Sequence, residues 1–407
     1  MSFPDVLRNG DDFLKQYPRQ SRIWTILSYG TSLITVSLSK LFLHTFYSIK
    51  VNNFEVLEKA VQTAENENRG IMTMMNHMSM VDDPTFWAAF PLRLYRQKEN
   101  IRWCLGAENI CFQNKFLGYM FSLGQVLSTK RFGVGPFQGS IDAAIRLLSP
   151  DDSLESLTWR PSKGINESLK QQQNSSSLTN PPIRRNKPSW VHVYPEGFVL
   201  QLHPPYSNSM RYFKWGITRM ILESTKPPVI VPIFTTGFEN IISEESEESF
   251  LKQLWKSFGT EINITIGDPL DNKLIDNFRN EWNQLVEKYF DPENPTNLST
   301  RLKYGEEAQD LRSRVAAELR NHVAKIRHDV RNLPKEDPRF QSPAWWKKYT
   351  SSEGKSDPDV KFIGKNWAIK RLQNILNIEP AMDNNNNGDE TRNKRETSSN
   401  KPDIKKD

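Results

Sequence analysis

Cysteine is nearly absent from this 407-residue chain. Its two residues, Cys104 and Cys111, are too few for a disulfide framework and wrongly spaced for a zinc knuckle, so two buried free thiols are expected and no metal site is assigned. No uninterrupted apolar run reaches the roughly 20 residues of a comfortable membrane span. Residues 23–39 carry no charge but are dense in Ser and Thr, and Lys40 interrupts before Leu41 and Phe42. The N-terminus has Asp5, Asp11 and Asp12 in place of the basic start of a secretory signal, and it is not the Arg-rich, acid-poor leader of a transit peptide. A Gly-x-Ser-x-Gly elbow is also missing, which leaves a serine acyl-enzyme without support, although Ser79 remains a conceivable nucleophile. The glycines between Gly133 and Gly139 fit neither a dinucleotide nor a P-loop fingerprint.

What is present is a basic, mixed α/β pattern. The net charge is +6, and residues 301–371 carry a Lys/Arg surplus as large as that of the whole chain. Such a surplus serves a nucleic acid, an anionic membrane or an anionic substrate. No nucleic-acid recognition module accompanies it. Residues 365–378 read as a basic amphipathic helix, with Ala368, Leu372, Ile375 and Leu376 beside Lys370 and Arg371. Either a packed helix or a membrane-surface helix satisfies that pattern.

Short apolar runs at 70–75, 190–194, 229–234 and 262–266 read as strands of one sheet, and 140–148 and 306–333 as helices. His322 lies on the apolar stripe of the latter, as a core histidine would. Residues 151–189 turn to Ser, Asn, Gln, Pro and charge, which predicts a disordered insertion, and 379–407 a disordered tail. The expected organisation is a membrane-associating segment over 1–50, a catalytic domain over 51–300 and a basic helical region over 301–378.

Chemistry concentrates after the strand ending at Met75, in Asn76-His-Met-Ser-Met-Val-Asp-Asp-Pro84. Asp83 and Pro84 suit a helix start. His77 therefore falls in a strand-to-helix loop at the sheet's carboxyl edge, where α/β enzymes gather their sites, with Asp82 near enough to fold back on it. A carboxylate on one ring nitrogen fixes the tautomer and leaves the other nitrogen as a base. A His-x4-Asp spacing alone is common by chance, and a capped turn explains it equally well.

The surrounding order of motifs strengthens the case. His77 to Asp82, then Tyr194-Pro-Glu-Gly197, then Val231-Pro-Ile233 resemble the three successive boxes of the glycerolipid acyltransferases. The resemblance implies an α/β fold with a central mixed sheet flanked by helices, an N-terminal membrane-associated helix and a C-terminal helical extension. It also implies His77 as general base on an acceptor hydroxyl, Asp82 as its orienting partner, and Glu196 and Gly197 at the acceptor's glycerol or head group. Arg131 stands where the family keeps a basic residue for the acceptor phosphate, although a solvated basic turn explains it about as well. Within the family, Arg211-Tyr-Phe-Lys-Trp-Gly-Ile217 and the boxes above are most similar to the mitochondrial phospholipid transacylases of its fungal branch. For those, the resemblance implies coenzyme A-independent exchange of acyl chains between phosphatidylcholine, cardiolipin and monolysocardiolipin. It implies no cofactor, and residence on mitochondrial membranes facing the intermembrane space, with membrane protein complexes as further partners. A coenzyme A-dependent lysophospholipid acyltransferase would use the same His and Asp, and a non-catalytic membrane scaffold would need neither.

Candidate membrane-associating residues are Ile23, Trp24, Leu33, Leu41 and Phe42, on a helix expected to lie in one leaflet, not to span it. Trp215 and Ile217 are a second candidate set, since they sit among Arg211, Lys214 and Arg219. A helix packed on the sheet fits the same residues.

Overall fold

The computed structural model describes residues 13–130, 135–150, 183–243, 248–293, 297–346, 360 and 363. Arg131, the 365–378 helix, the 379–407 tail and most of the insertion lie outside them.

Seven strands form one sheet: β1 (Ser48–Asn52), β2 (Ile71–Met75), β3 (Trp103–Ala107), β4 (Val126–Thr129), β5 (Trp190–Val193), β6 (Val229–Thr236) and β7 (Glu261–Ile266), in the order β1-β7-β6-β2-β5-β3-β4. The five strands from β6 to β4 run parallel; β7 pairs antiparallel with β6, and β1 follows β7. The sheet is thus mixed, as expected. β2 and β5 are buried along their whole length, which is why they read as continuous apolar runs and do not alternate.

Eleven α-helices are described: α1 (Arg22–Phe46), α2 (Phe54–Asn66), α3 (Asp82–Ala88), α4 (Glu108–Cys111), α5 (Lys115–Leu123), α6 (Gly139–Leu148), α7 (Trp215–Leu222), α8 (Phe250–Lys256), α9 (Asn272–Tyr289), α10 (Thr300–Tyr304) and α11 (Glu306–Lys325). They cover both faces of the sheet. On one face α6, α7, α9 and α11 close a core around Val191, Val193 and Phe234; on the other α1, α2 and α3 close a core around Trp190, Val231 and Ile264. The alternation of β5 explains the split, since Val191 and Val193 point one way and Trp190 and His192 the other.

Several expectations change. Residues 183–189, the last part of the expected insertion, are ordered: Ile183 joins the core and Arg185 donates to the carbonyls of Leu147 and Ser149. Cys104 is buried, but Cys111 is only half-buried. The helix over 306–333 is α11 followed by a π-helical turn at Ile326–Val330. His322 is not a core residue, because its ring stands at the edge of the stripe, 3.3 Å from Glu318. Part of the C-terminal positive charge is also inward. Arg320 donates to the carbonyls of Met210 and Arg211 and pairs with Glu336, while Arg327 donates to the carbonyl of Asn208.

Candidate active site

β2 delivers its last residues to the carboxyl edge shared with β5 and β6. There Asn76 fixes the strand end to β6, accepting from the Thr235 N–H (2.8 Å) and donating to the Thr235 carbonyl (2.9 Å). The loop that follows cannot pair within the sheet, so its backbone groups need other partners. Those partners are specific. The His77 N–H donates to Glu196 (3.0 Å), the His77 carbonyl accepts from the Leu200 N–H (3.1 Å), and the Met78 carbonyl accepts from Gln201 (2.7 Å). Asp82 Oδ2 accepts from the N–H groups of Met78 (2.8 Å) and Ser79 (3.1 Å).

The same Oδ2 lies 2.8 Å from His77 Nδ1. An oxygen that already accepts from two amides acts as acceptor toward the ring, so Nδ1 carries the proton and the lone pair is left on Nε2. Asp82 is fully buried, whereas the His77 side chain is 22% exposed. The ring lies against Tyr194, with centroids 4.3 Å apart and planes 28° from parallel. Asp82 holds its edge and Tyr194 covers one face.

His77 borders a cavity of about 500 Å³, whose lining includes Met80, Trp87, Cys104, Ile110, Met120 and, from α1, Thr31 and Thr35. The walls are mostly apolar. A cavity of this size holds a drug-sized or acyl-sized group. Its charged element is Asp83, paired in a fork with Arg102, which also donates to the Gly124 carbonyl (2.9 Å). The two adjacent aspartates therefore divide their work: Asp82 serves His77, and Asp83 neutralises a buried guanidinium. Asp83 was visible in the sequence as the second acid of the motif, but Arg102 carried no local signal. Helix α3 begins at Asp82, one residue before the expected Asp83–Pro84 start, and Asp83 itself departs from helical geometry.

Behind the ring lies an inert block. Trp190 Nε1 donates to Thr73 Oγ1 (2.9 Å), which leaves the Thr73 hydroxyl to donate to His192 Nδ1 (2.8 Å). Burial, reinforced by Arg102 and His77, holds the His192 imidazole well below the ordinary histidine range. His192 is a neutral packing residue against Phe86 and Trp87.

Glu196 faces the backbone of two loops. Its carboxylate is 1% exposed, and its two oxygens accept from the His77 N–H and the Arg211 N–H (2.8 Å). It ties the His77 loop to the loop before α7. Burial pushes its carboxyl up to about 7, against the pull of the two amide donors. Gly197 sits at φ +82°, a backbone conformation that favours glycine; a Cβ there would meet only the flexible end of the Lys214 side chain, at 2.8 Å from its Cε. Ser79 is unsuited to nucleophilic attack: its Oγ is buried and has no partner among the described residues.

The candidate membrane residues separate. Ile23 and Leu41 stand on the exposed face of α1, whereas Trp24 is buried and Leu33 and Phe42 pack inward on the core. Trp215 and Ile217 are 6% and 3% exposed within the core, and the cations beside them are occupied, Arg219 by Glu223 (2.6 Å) and Asp142 (2.9 Å). That helix packs on the sheet and cannot meet lipid in this conformation.

The comparisons with known proteins agree with this geometry. The acyltransferase family model matches residues 48–236, the span from β1 to β6 that contains His77, Asp82 and Glu196. Tafazzin of Saccharomyces cerevisiae is 65% identical over 377 residues, covering 92% of this chain and 97% of that protein. An N-acylphosphatidylethanolamine synthase of Arabidopsis thaliana is 28% identical over 54% of the chain and 62% of its own length. Tafazzin of Drosophila melanogaster is 26% identical over 62% of the chain and 53% of its own length. With a fungal relative matched nearly end to end, and a histidine, paired with an aspartate, bordering an apolar cavity inside the matched region, the chain belongs to the tafazzin family and is an acyltransferase.

Proposed function

We propose that this acyltransferase moves acyl chains between phospholipids and lysophospholipids without coenzyme A, with monolysocardiolipin as acceptor and cardiolipin as product. The observation that carries the reading is the His77 ring, held by Asp82 at 2.8 Å and bordering an apolar cavity. His77 Nε2 takes the proton of the acceptor hydroxyl as its oxygen attacks the donor's ester carbonyl. Collapse of the tetrahedral intermediate expels the donor's glycerol oxygen, which recovers that proton from His77. One oxygen ester forms as another breaks, so neither a thioester nor a metal is needed to drive the exchange. General-base catalysis supplies roughly 10²- to 10⁴-fold, and holding two lipids in register supplies much of the rest.

The likeness to tafazzins supports residence on mitochondrial membranes facing the intermembrane space, and the apolar outer face of α1 supports interfacial attachment. We read residues 51–300 as the acyltransferase domain, 1–50 as its membrane-associating segment and 301–378 as a helical extension. The test is transfer from phosphatidylcholine to monolysocardiolipin in vesicles free of coenzyme A. Transfer by the parent, lost in a folded His77→Ala variant, is the expected result. A strict requirement for acyl-CoA would replace this reading with the thioester-dependent one, and full activity in His77→Ala would remove the base.

A further inference from the structure

We infer that the enzyme rests on the bilayer through three helices, not one, and that α5 and α8 press the mouth of the acyl cavity into the hydrocarbon. This rests on the lipid-substrate reading above.

The outer face of α1 exposes Ile26, Leu27, Ile34 and Leu38 as well as Ile23 and Leu41. Two further apolar patches belong to other helices. On α5, Phe116 is 75% exposed and Tyr119 is open beside it; on α8, Leu251 and Trp255 are 76% and 73% exposed. Apolar residues exposed singly are ordinary, but patches of this kind mark a protein or membrane contact.

One edge of α1 connects them. Trp24, Thr31, Thr35 and Phe42 are spaced i, i+7, i+11 and i+18, so they fall on a single stripe. At one end of the stripe Trp24 packs against Tyr119 of α5 (6.1 Å between centroids). At the other, Phe42 packs against Phe258 (6.3 Å), which in turn meets Trp255 of α8 (5.2 Å). Between them Thr31 and Thr35 line the cavity. The cavity therefore lies between two apolar shoulders along one side of α1. Its rim is apolar too, since Met80, Ile110 and Met120 both line it and remain exposed.

The occupant that fits is a lipid surface. α1 is buried on one side at Trp24, Ser28, Ser32, Val36 and Leu43, so the folded domain accompanies it for nearly its whole length. Crossing the membrane would drag that domain into the hydrocarbon; lying flat immerses the three exposed patches alone. Two of the patches also have exposed cations adjacent in sequence, Arg22 on α1 and Lys115 on α5, suited to lipid phosphates at the headgroup level, whereas Lys252 and Lys256 on α8 are paired with Glu248.

The experiment is flotation with vesicles of phosphatidylcholine and cardiolipin, using the full chain carrying His77→Ala so that binding is read without turnover. Adding Leu251→Asp with Trp255→Asp, or separately Phe116→Asp, is expected to lower the vesicle-bound fraction at least about tenfold while leaving the thermal midpoint near that of the parent. Flotation equal to the parent in both variants would overturn the footprint. So would unchanged flotation accompanied by a shift from dimer to monomer in sedimentation, which would assign the patches to a second copy of the chain. Failure of coenzyme A-free transfer by the active parent, with the flotation results as expected, would instead remove the transacylase reading and leave the footprint standing.

Discussion

The loop that carries His77 and the apolar rim beside it differ in how they are held. In the loop, backbone groups at His77, Met78 and Ser79 find named partners, and the ring is gripped from its edge by Asp82 and from its face by Tyr194. At the rim, Met80 and Met120 stand exposed. One part fixes the imidazole to within a hydrogen bond; the other leaves an open apolar mouth. Under the proposed mechanism, positional accuracy goes to the atom that moves the proton and an open apolar surface to the group that is carried.

Three substitutions press on this contrast. The largest effect is expected from Asp82→Asn, whose amide would turn a donor toward the ring or abandon the two loop amides. Transfer should fall by about 10²- to 10⁴-fold with little change in vesicle binding, measured as kcat on vesicle substrate. Ile217→Ala comes next and tests the boundary between core and lipid-facing surface. Removing a side chain that is 3% exposed should cost about 2–5 kcal/mol of stability in denaturant unfolding, with the folded fraction still binding vesicles. Release from vesicles without loss of stability would return Ile217 to the membrane. The smallest effect belongs to Glu196→Gln. Glutamine offers one acceptor oxygen where two amides need one each, so one bond is lost, at about 1–3 kcal/mol, and transfer should drop by roughly tenfold. Its pH signature is distinctive. The carboxyl titrates near 7 when folded and near 4.5 when not, so between those values the folded chain binds more protons than the unfolded one. The parent's stability advantage over Glu196→Gln should therefore be greatest below about pH 4.5 and shrink as pH rises through 7, which unfolding midpoints at pH 5 and 8 would reveal. An advantage that grows with pH would mean that the two amide donors outweigh burial.

The sequence disclosed these features unevenly. The runs around β2, β5, β6 and β7 were legible because buried strands are built from apolar runs, and the His77–Asp82 pair because its partner lies five residues away. The role of Glu196 was not, since a Pro-Glu-Gly turn reads the same whether its carboxylate faces solvent or the backbone of a loop 119 residues earlier. Trp215 and Ile217 looked interfacial because their neighbours are cations. The clue that those cations were occupied was Glu223, one helical turn beyond Arg219, but Asp142 across the fold was beyond any local reading. Strand direction was likewise silent: nothing in β1 or β7 announces that they run against β2.

That reversal decides which way the enzyme faces. Because β1 and β7 oppose the central strands, the chain enters both from the edge where β2 delivers His77. Each entry carries an aromatic, Phe46 before β1 and Phe258 before β7, and the two rings stack at 4.2 Å beside Trp255. Had the pair run with its neighbours, this corner would sit at the far side of the sheet, and the proposed membrane footprint would be separated from His77 by a strand's length. Two inverted strands thus set the height of the site above the proposed membrane footprint.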